Sequence, residues 1–213
     1  MAIAFDAVVS NTSTTATSLT YSHTCTGSNS ILFVAHLSNT GDFSTGVTYA
    51  GVSMVQISKK QVGATSAWTY LYALFAPATG ANNVVISVST STLIYGTSVS
   101  YTGVTQSNTM DASATSSISA AALNLSTNLT TIANNCWTAC YSFNNTNIWV
   151  SNSDTIRGTN AGSNFFDTNS LITPAGSKTM TQTVTGSGSS TSHMVSFSPF
   201  VATTANSNFL MFF

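Results

Sequence analysis

A histidine and a cysteine stand two residues apart in the segment Tyr21-Ser22-His23-Thr24-Cys25, and these are the residue types of a thiolate nucleophile and its base. The segment has the pattern of a strand, in which a two-residue offset puts both side chains on one face about 6–7 Å apart. No third group that would orient the histidine stands nearby in the sequence. We therefore predict structural roles for His23, and equally for His36 and His193, which also fall within strand patterns.

Carboxylates are the second candidates for chemistry, and the chain has five, all of them aspartate. Glycoside hydrolysis needs two carboxyl groups at a defined separation, one of which holds a proton near neutral pH. Each aspartate stands alone in its local sequence, so neither a catalytic pair nor a calcium loop is predicted. The five are Asp6, Asp42, Asp111, Asp154 and Asp167. We expect turn or loop roles for all of them except Asp6.

Serine and threonine are abundant, yet no serine stands in the Gly-x-Ser-x-Gly pattern of a nucleophile elbow. Neither the Walker pattern nor Gly-x-Gly-x-x-Gly before a helix is present, so no loop is predicted to hold phosphates. The three histidines and three cysteines are scattered and match no zinc-ligand spacing. The sequence thus predicts a protein that is not an enzyme and needs no cofactor or metal.

Three cysteines make an odd count, so at least one thiol is free or bonds to another chain. Cys136 and Cys140 lie four residues apart in one predicted strand, about 13 Å, which is too far for a mutual disulfide. Both face the same side, so either is a candidate partner for Cys25 on a neighbouring strand. The alternative is that all three are buried, unpaired thiols that behave as small hydrophobic side chains.

Charged residues are very scarce: they make up 4% of the chain, against about 25% in average domains, whereas 71 residues are serine or threonine. A net charge of −1 gives no basic surface for nucleic acid, so no nucleic-acid partner is predicted. No apolar run approaches the length of a membrane span, and the first residues lack the pattern of a secretory signal. Such a surface, made of hydroxyls, amides and methyls, favours packing against copies of the same chain.

Period-two alternation of apolar residues recurs along the chain and predicts an all-β protein with no convincing helix. About eleven strands, separated by clusters of Gly, Asn, Ser, Thr and Pro, predict a two-sheet antiparallel β-sandwich of the jelly-roll type. We predict one sandwich domain over residues 1–200. Its inner faces are predicted to comprise Phe33, Val47, Tyr49, Trp68, Tyr70, Tyr72, Val85, Ile86, Val99, Tyr101, Trp137, Tyr141 and Phe197.

Trp149 follows an asparagine-rich loop that contains Asn144, Asn145 and Asn147. Sandwich lectins stack sugars on exposed aromatic rings, so this loop is the best local candidate for glycan contact. The hypothesis requires that Trp149 be exposed.

The last stretch of the sequence, 201–213, is predicted to be an apolar C-terminal extension. A polar spacer precedes five large apolar residues, and leaving those in water would cost roughly 1.5–3 kcal/mol per side chain. They are predicted to dock either on the chain's own sandwich or on a neighbouring copy, by strand addition to an exposed edge. The candidate contact residues are Phe209, Leu210, Met211, Phe212 and Phe213.

Several segments resemble a family of small β-sandwich proteins found in tailed phages and in uncultured bacteria, mostly without assigned activity. The segments are Tyr21–Asn29, Ile31–Val34, Val47–Met54, Leu71–Val85 and Val99–Val104, with a looser match at Thr173–Ser177. They are turn and core signatures, so the resemblance concerns the fold. It implies a structural module of a virion or a cell surface and supplies no catalytic residues.

Taken together, these features predict a non-catalytic structural subunit that self-assembles on a virion or as an extracellular filament. Capsid decoration and tail fibre are the roles considered for it on a virion, with subunit contacts through the C-terminal strand. The alternative is a lectin-like adhesion module that binds surface glycans through Trp149 and the asparagine-rich loop.

Overall fold

A computed structural model describes residues 2–119, 123–146, 149–186 and 188–202. Every regular element in these ranges is a β-strand, and no helix long and apolar enough to cross a bilayer occurs among them. All strand pairs are antiparallel. The all-β prediction is therefore confirmed, although the described residues form fifteen strands rather than about eleven.

The N-terminal half of the chain forms one seven-stranded sheet. The strands are β1 (Ala4–Cys25), β2 (Ile31–Ser38), β3 (Ser44–Tyr49), β4 (Val52–Ser53), β5 (Val55–Gln61), β6 (Trp68–Phe75) and β7 (Gly80–Thr102). The two very long strands, β1 and β7, pair along their whole lengths, and β7 also pairs with β2 through residues 94–101 and with β3 through residues 84–88.

The C-terminal half of the chain forms two sheets. The strands are β8 (Ala112–Ile118), β9 (Asn124–Thr130), β10 (Trp137–Asn144), β11 (Trp149–Asn152), β12 (Thr155–Asn160), β13 (Ser163–Asp167), β14 (Ser177–Val184) and β15 (Ser190–Phe197). The strand orders of the two sheets are β12-β13-β10-β15-β8 and β11-β14-β9.

The two halves have the same strand connectivity, which the sequence analysis did not predict. The long strand β1 corresponds to β8 followed by β9, and the long strand β7 corresponds to β14 followed by β15. The strands β2, β3, β5 and β6 correspond, in that order, to β10, β11, β12 and β13. Each of the six pairings in the C-terminal half then has a counterpart in the N-terminal half. Only β4 has no counterpart among the described residues.

Local irregularities repeat as well as connectivity. The register of β3 against β7 shifts between Ser44 and Gly46, and that of β11 against β14 shifts at the equivalent place, between Trp149 and Ser151. β5 shifts between Gln56 and Ser58, and β12 between Ile156 and Gly158. Because a bulge changes which side chains face inward, shared bulges fix a residue-by-residue correspondence between the halves.

One aspartate clamp appears twice in this correspondence. Asp6 accepts hydrogen bonds from the backbone N–H of Thr26 at 2.9 Å and from the hydroxyl of Ser100 at 2.7 Å. Asp111 accepts them from the N–H of Ile132 at 2.9 Å and from the hydroxyl of Ser196 at 2.6 Å. Both clamps tie the start of a half to the turn that leads into its central strand, so these two aspartates have structural roles.

Each half has its own core, and a third core joins the halves. Most of the residues predicted to face inward belong to one of these cores, whereas Trp68 and Val85 are only half-buried. The N-terminal core includes Val47, Tyr49, Tyr70, Tyr72 and Ile86. The shared core includes Phe33, Val99, Tyr101, Trp137, Tyr141 and Phe197. The C-terminal half has two small clusters, one of Leu129, Cys140, Phe166, Met180 and Met194 and one of Leu125, Trp149 and Val184.

The shared core explains why four strands are buried along their full length. β2, β10, β13 and β15 are buried at every residue, because one face meets the core of its own half and the other meets the opposite half. Their sequences are accordingly apolar or small and polar rather than alternating. The two halves therefore pack as successive layers of one body.

Candidate functional site

Each of the five aspartates is engaged by donors within the chain. Besides Asp6 and Asp111, three form ion pairs with basic side chains. Asp42 also accepts a hydrogen bond from Tyr70 at 2.9 Å, and Asp167, fully buried, accepts one from Tyr101 at 2.7 Å. The ion pairs are Asp42 with Lys59, Asp154 with Lys178, and Asp167 with Arg157.

The three histidines are buried, and hydroxyl groups bond to their rings. His23 lies between Ser98 and Ser100, at 2.9 and 3.0 Å. His193 lies between Ser58 at 2.6 Å and Thr69 at 2.8 Å, where the two halves meet. Burial lowers the pKa of His23 to about 4 and that of His193 to about 3, so both rings are neutral near pH 7.

All three cysteines are free and buried. Cys25, at the end of β1, belongs to the core of the N-terminal half, whereas Cys140 belongs to the core of the C-terminal half on the far side of the shared core. Cys136 precedes β10, whose neighbours are β13 and β15. The structure therefore contains no disulfide between Cys25 and Cys136 or Cys140, the pairings that the sequence analysis considered.

Burial also raises the pKa of each thiol, that of Cys136 to about 12 with a further contribution from nearby Asp111. Thiolate nucleophiles need the opposite shift. The pairing of His23 with Cys25 that their spacing suggested has no chemical support here, because His23 bonds to serines instead.

Trp149 does not meet the condition of the glycan hypothesis. It is only 9% exposed, and its indole N–H donates to the carbonyl oxygen of Gly162 at 2.7 Å. Of the loop residues, Asn144 is buried and its amide donates to Ser190, while Asn145 is exposed. Asn147 lies outside the described residues. An exposed stacking platform at Trp149 is therefore absent.

The C-terminal extension begins at the junction of the halves. The N–H of Phe200 donates to the carbonyl oxygen of Gly103 at 2.7 Å, and Val104 and Pro199 form an antiparallel bridge. Val201, the next residue, is 74% exposed. The predicted contact residues Phe209, Leu210, Met211, Phe212 and Phe213 lie outside the described residues.

A groove that the sequence analysis missed opens between β3 and β5 in the N-terminal half. We call it the β3–β5 groove; its volume is about 580 Å³. Its walls include Ser44, Val47, Met54, Gln56, Tyr72 and Ser87. No sequence pattern predicts it, because the wall residues are spread over five strands.

A chain of hydrogen bonds runs from the buried interior to this groove. His36 Nε2 lies 2.9 Å from Ser44 Oγ, which lies 2.8 Å from the Tyr72 hydroxyl. The Tyr72 hydroxyl donates to Gln56 Oε1 at 3.0 Å. The His36 ring stacks on Tyr70 with centroids 4.5 Å apart, which holds it in place.

The network connects the buried ring of His36 to the groove through two hydroxyls. Burial lowers the pKa of His36 to about 3, so the ring is neutral near pH 7. The outer end of the network is Gln56, an exposed residue whose amide lines the groove.

Comparison with protein family models, with curated protein sequences and with solved structures finds no match for this chain. The groups that could act at a site are therefore judged on geometry alone. Among the described residues, no cluster of three or more His, Cys or Asp side chains could hold a metal ion.

Proposed function

We propose that this chain is a non-catalytic structural subunit that assembles with copies of itself, on a virion as a capsid decoration or tail fibre, or as an extracellular filament. The observation that carries the proposal is the exit of the chain at Val201. This exposed residue follows the well-anchored Phe200 and leads into the segment 202–213, in which five of the last six residues are large and apolar. Such a segment gains most by docking on protein.

Surface charge supports self-association. Three of the four basic side chains are paired with aspartates, so little net charge is left to keep copies apart. The remaining surface is dominated by hydroxyls and amides, which pair with equivalent groups on another copy.

We also infer that each half is a jelly-roll-like β-sandwich. The shared connectivity and the separate core in each half support this inference, and it agrees with the resemblance to the β-sandwich family of phages and uncultured bacteria. Two such units joined rigidly make a bulky building block with little internal freedom, which suits a lattice or a filament.

The outer edge of β5 is our candidate acceptor for the C-terminal segment of another copy. β5 pairs with β6 on one side, and no other strand of the described residues pairs with its second side. Val55 at its start is 62% exposed and Val52 nearby is 55% exposed. An unpaired edge with exposed β-branched residues is a template for strand addition.

Light scattering tests the proposal on the full chain and on a chain that ends at Phe200. The full chain is expected to form large particles or filaments and the shortened chain to stay monomeric and folded. Assembly by the shortened chain would overturn the role of the extension, and a monodisperse full-length monomer would overturn the proposal as a whole.

A matched pair of substitutions tests the acceptor edge. Val55→Lys places a charge on the edge and should reduce assembly, whereas Thr155→Lys, at the equivalent exposed position of β12, should not. Equal effects of the two substitutions would show that β5 is not the acceptor.

A further inference from the structure

The β3–β5 groove can be compared with its own counterpart in the other half. The shared bulges make Ser44 equivalent to Trp149 and Gln56 equivalent to Ile156, and the register of β6 and β13 makes Tyr72 equivalent to Phe166. Three groups that form a polar network in one half are therefore replaced by three apolar side chains in the other.

In the C-terminal half, two of these apolar residues serve packing, whereas Ile156 is 48% exposed. Trp149 packs with Leu125 and Val184, and Phe166 packs with Met180 and Met194. The same strand framework is thus built in one half with an apolar wall at the places where the other half has hydroxyls and an amide. Folding of the framework does not require the polar version.

The buried end of the network does not distinguish the halves. His36 is fully buried, and Ser142, the equivalent residue of the C-terminal half, is a buried polar residue as well. The halves differ at the outer end, where Ser44, Tyr72 and Gln56 bond to one another and line the groove. Polar groups that face a groove are available to a ligand.

The lining of the groove selects the chemistry of a ligand. Its wall carries the hydroxyls of Ser44, Thr48, Ser53 and Tyr72 and the amide of Gln56, and no charged residue lines it. The nearby ion pair of Lys59 with Asp42 is closed on itself. Phosphates and carboxylates therefore find no counter-charge, while ligand hydroxyls find both donors and acceptors.

Apolar groups complete the match. Val47 and Met54 line the same groove, and a pyranose ring combines a C–H face that packs on such groups with a rim of hydroxyls. The volume of about 580 Å³ lies within the roughly 300–1,000 Å³ that is common for small-molecule sites. It accommodates a short segment of a sugar chain.

We propose that the β3–β5 groove binds a short, uncharged saccharide, held by the amide of Gln56 and the hydroxyls of Tyr72 and Ser44. The site lies in the N-terminal half only, because Trp149, Ile156 and Phe166 replace these groups in the C-terminal half. This inference goes beyond the structural role proposed above and does not depend on it.

Glycan-array binding by the full chain, followed by calorimetry on any bound sugar, tests the site. The probes are neutral mono- and oligosaccharides of hexoses and N-acetylhexosamines, with sialylated and sulfated glycans as the charged comparison. We expect binding to neutral probes alone, and a loss of affinity of about tenfold or more in Gln56→Ile and in Tyr72→Phe, since about 1.4 kcal/mol corresponds to tenfold.

Ile156→Gln is the matched control, because it makes the reverse change at the equivalent place and should leave affinity unchanged. Circular dichroism and thermal unfolding confirm that each variant is folded, and Tyr72→Phe keeps the ring in place even if Gln56→Ile perturbs β5. Absence of binding to every neutral probe, preference for charged glycans, or equal loss in Ile156→Gln would each overturn the proposal.

Repeating the binding measurement on the chain that ends at Phe200 separates this proposal from the first. Retained saccharide binding without assembly is expected, because the groove lies outside the extension. Light scattering then reports on the structural role and calorimetry on the groove, so failure of one is distinguishable from failure of the other.

Discussion

Tyr101 and Phe197 occupy equivalent positions in the two halves, and their ring centroids lie 5.0 Å apart in the shared core. Ile31 pairs with Tyr101 as Trp137 pairs with Phe197, which establishes the equivalence. Contact between equivalent residues places the junction of the halves at these rings. The halves thus share their largest aromatic cluster and are expected to unfold together.

Arg157 neutralises Asp167, the only fully buried aspartate among the described residues. Its Nε lies 2.7 Å from Oδ2 of Asp167, and its guanidinium lies over the ring of Phe5, 4.4 Å from the centroid. Arg157→Met should lower the free energy of unfolding by about 3–5 kcal/mol, because it leaves a buried charge without its partner. Urea unfolding monitored by tryptophan fluorescence measures this change.

Tyr101→Phe is the comparison for this prediction. It removes one hydrogen bond to Asp167 and keeps the ion pair, so a smaller loss of about 1–3 kcal/mol is expected. A larger loss in Tyr101→Phe than in Arg157→Met would show that the hydroxyl, and not the charge, holds Asp167.

Stability should fall as the pH is lowered from 6.5 towards 4. The pKa values of His23, His36 and His193 are lowered by burial to about 4, 3 and 3, whereas unfolded histidine has a pKa near 6.5. Above pH 6.5 both states are neutral; below it, only the unfolded state takes up the protons, so its free energy drops. Three such groups give a slope of up to about 4 kcal/mol per pH unit.

Urea titrations at pH 8, 7, 6 and 5 measure this slope. Asp42 and Asp111, whose pKa values are lowered in the fold, contribute only as the pH approaches their unfolded range near 4. His193→Gln should reduce the slope of stability against pH by about a third, because one of the three histidines is removed. Unchanged stability between pH 8 and 5 would mean that the histidines are charged in the folded state.

The three thiols should be inert in the native protein. Burial of Cys25, Cys136 and Cys140 excludes reagents and raises their pKa values, so little thiolate forms. Titration with Ellman's reagent should detect no reactive thiol before unfolding and three after unfolding in guanidinium without reductant. Fewer than three would indicate a disulfide.

The sequence predicted the fold class because alternation of apolar residues is a local signal. Alternation at residues 3–9 and 18–24 predicts two strands that the structure merges into the continuous β1, and alternation at 83–89 and 95–104 predicts two that it merges into β7. Other alternating segments fall on β2, β3, β5, β6, β9, β10, β14 and β15. β8 was not predicted as a definite strand. β11, β12 and β13 were missed because they are short, and β12 and β13 contain Arg157, Asn164 and Asp167, whose burial depends on partners elsewhere in the chain.

The internal duplication was missed for a related reason. The halves align as Gly27–Thr40 with Ala133–Thr146, and within this stretch Asn29 and Asn135 both adopt positive φ, at 51° and 63°. Few other residues are identical, since large and small side chains have exchanged places: Phe33 is matched by Ala139 and Ala35 by Tyr141 in one shared core. An exchange of this kind roughly keeps the volume at these positions, which a core tolerates, while the residue identities differ.

The candidate site could not be predicted because its residues come from five strands. Ser44, Gln56 and Tyr72 have ordinary neighbours in sequence, and what distinguishes them is the contrast with Trp149, Ile156 and Phe166, which is visible only after the halves are matched in space. Trp149, by comparison, attracted a functional hypothesis through its residue type, and its burial explains it as core.

Gly96 and Tyr21 in the N-terminal half correspond to Ser192 and Thr127 in the C-terminal half, so replacing the first pair by the second tests whether the halves are equivalent. A Cβ atom on Gly96 would lie 2.7 Å from Cδ1 of Ile86 and 3.2 Å from the ring of Tyr21. At the matching place in the other half, Ser192 replaces the glycine and Thr127 replaces the tyrosine, and their hydroxyls are hydrogen-bonded. The smaller Thr127 leaves room for the serine side chain.

Gly96→Ser alone should therefore destabilise the protein by about 1–3 kcal/mol through overpacking, and Tyr21→Thr alone by about 3–5 kcal/mol through a cavity. The double substitution should cost less than the sum by about 0.5–3 kcal/mol, because the serine then occupies the vacated space and gains a partner hydroxyl. Urea unfolding of the four proteins measures this coupling. Strict additivity would show that the two halves, despite their common connectivity, pack these positions differently.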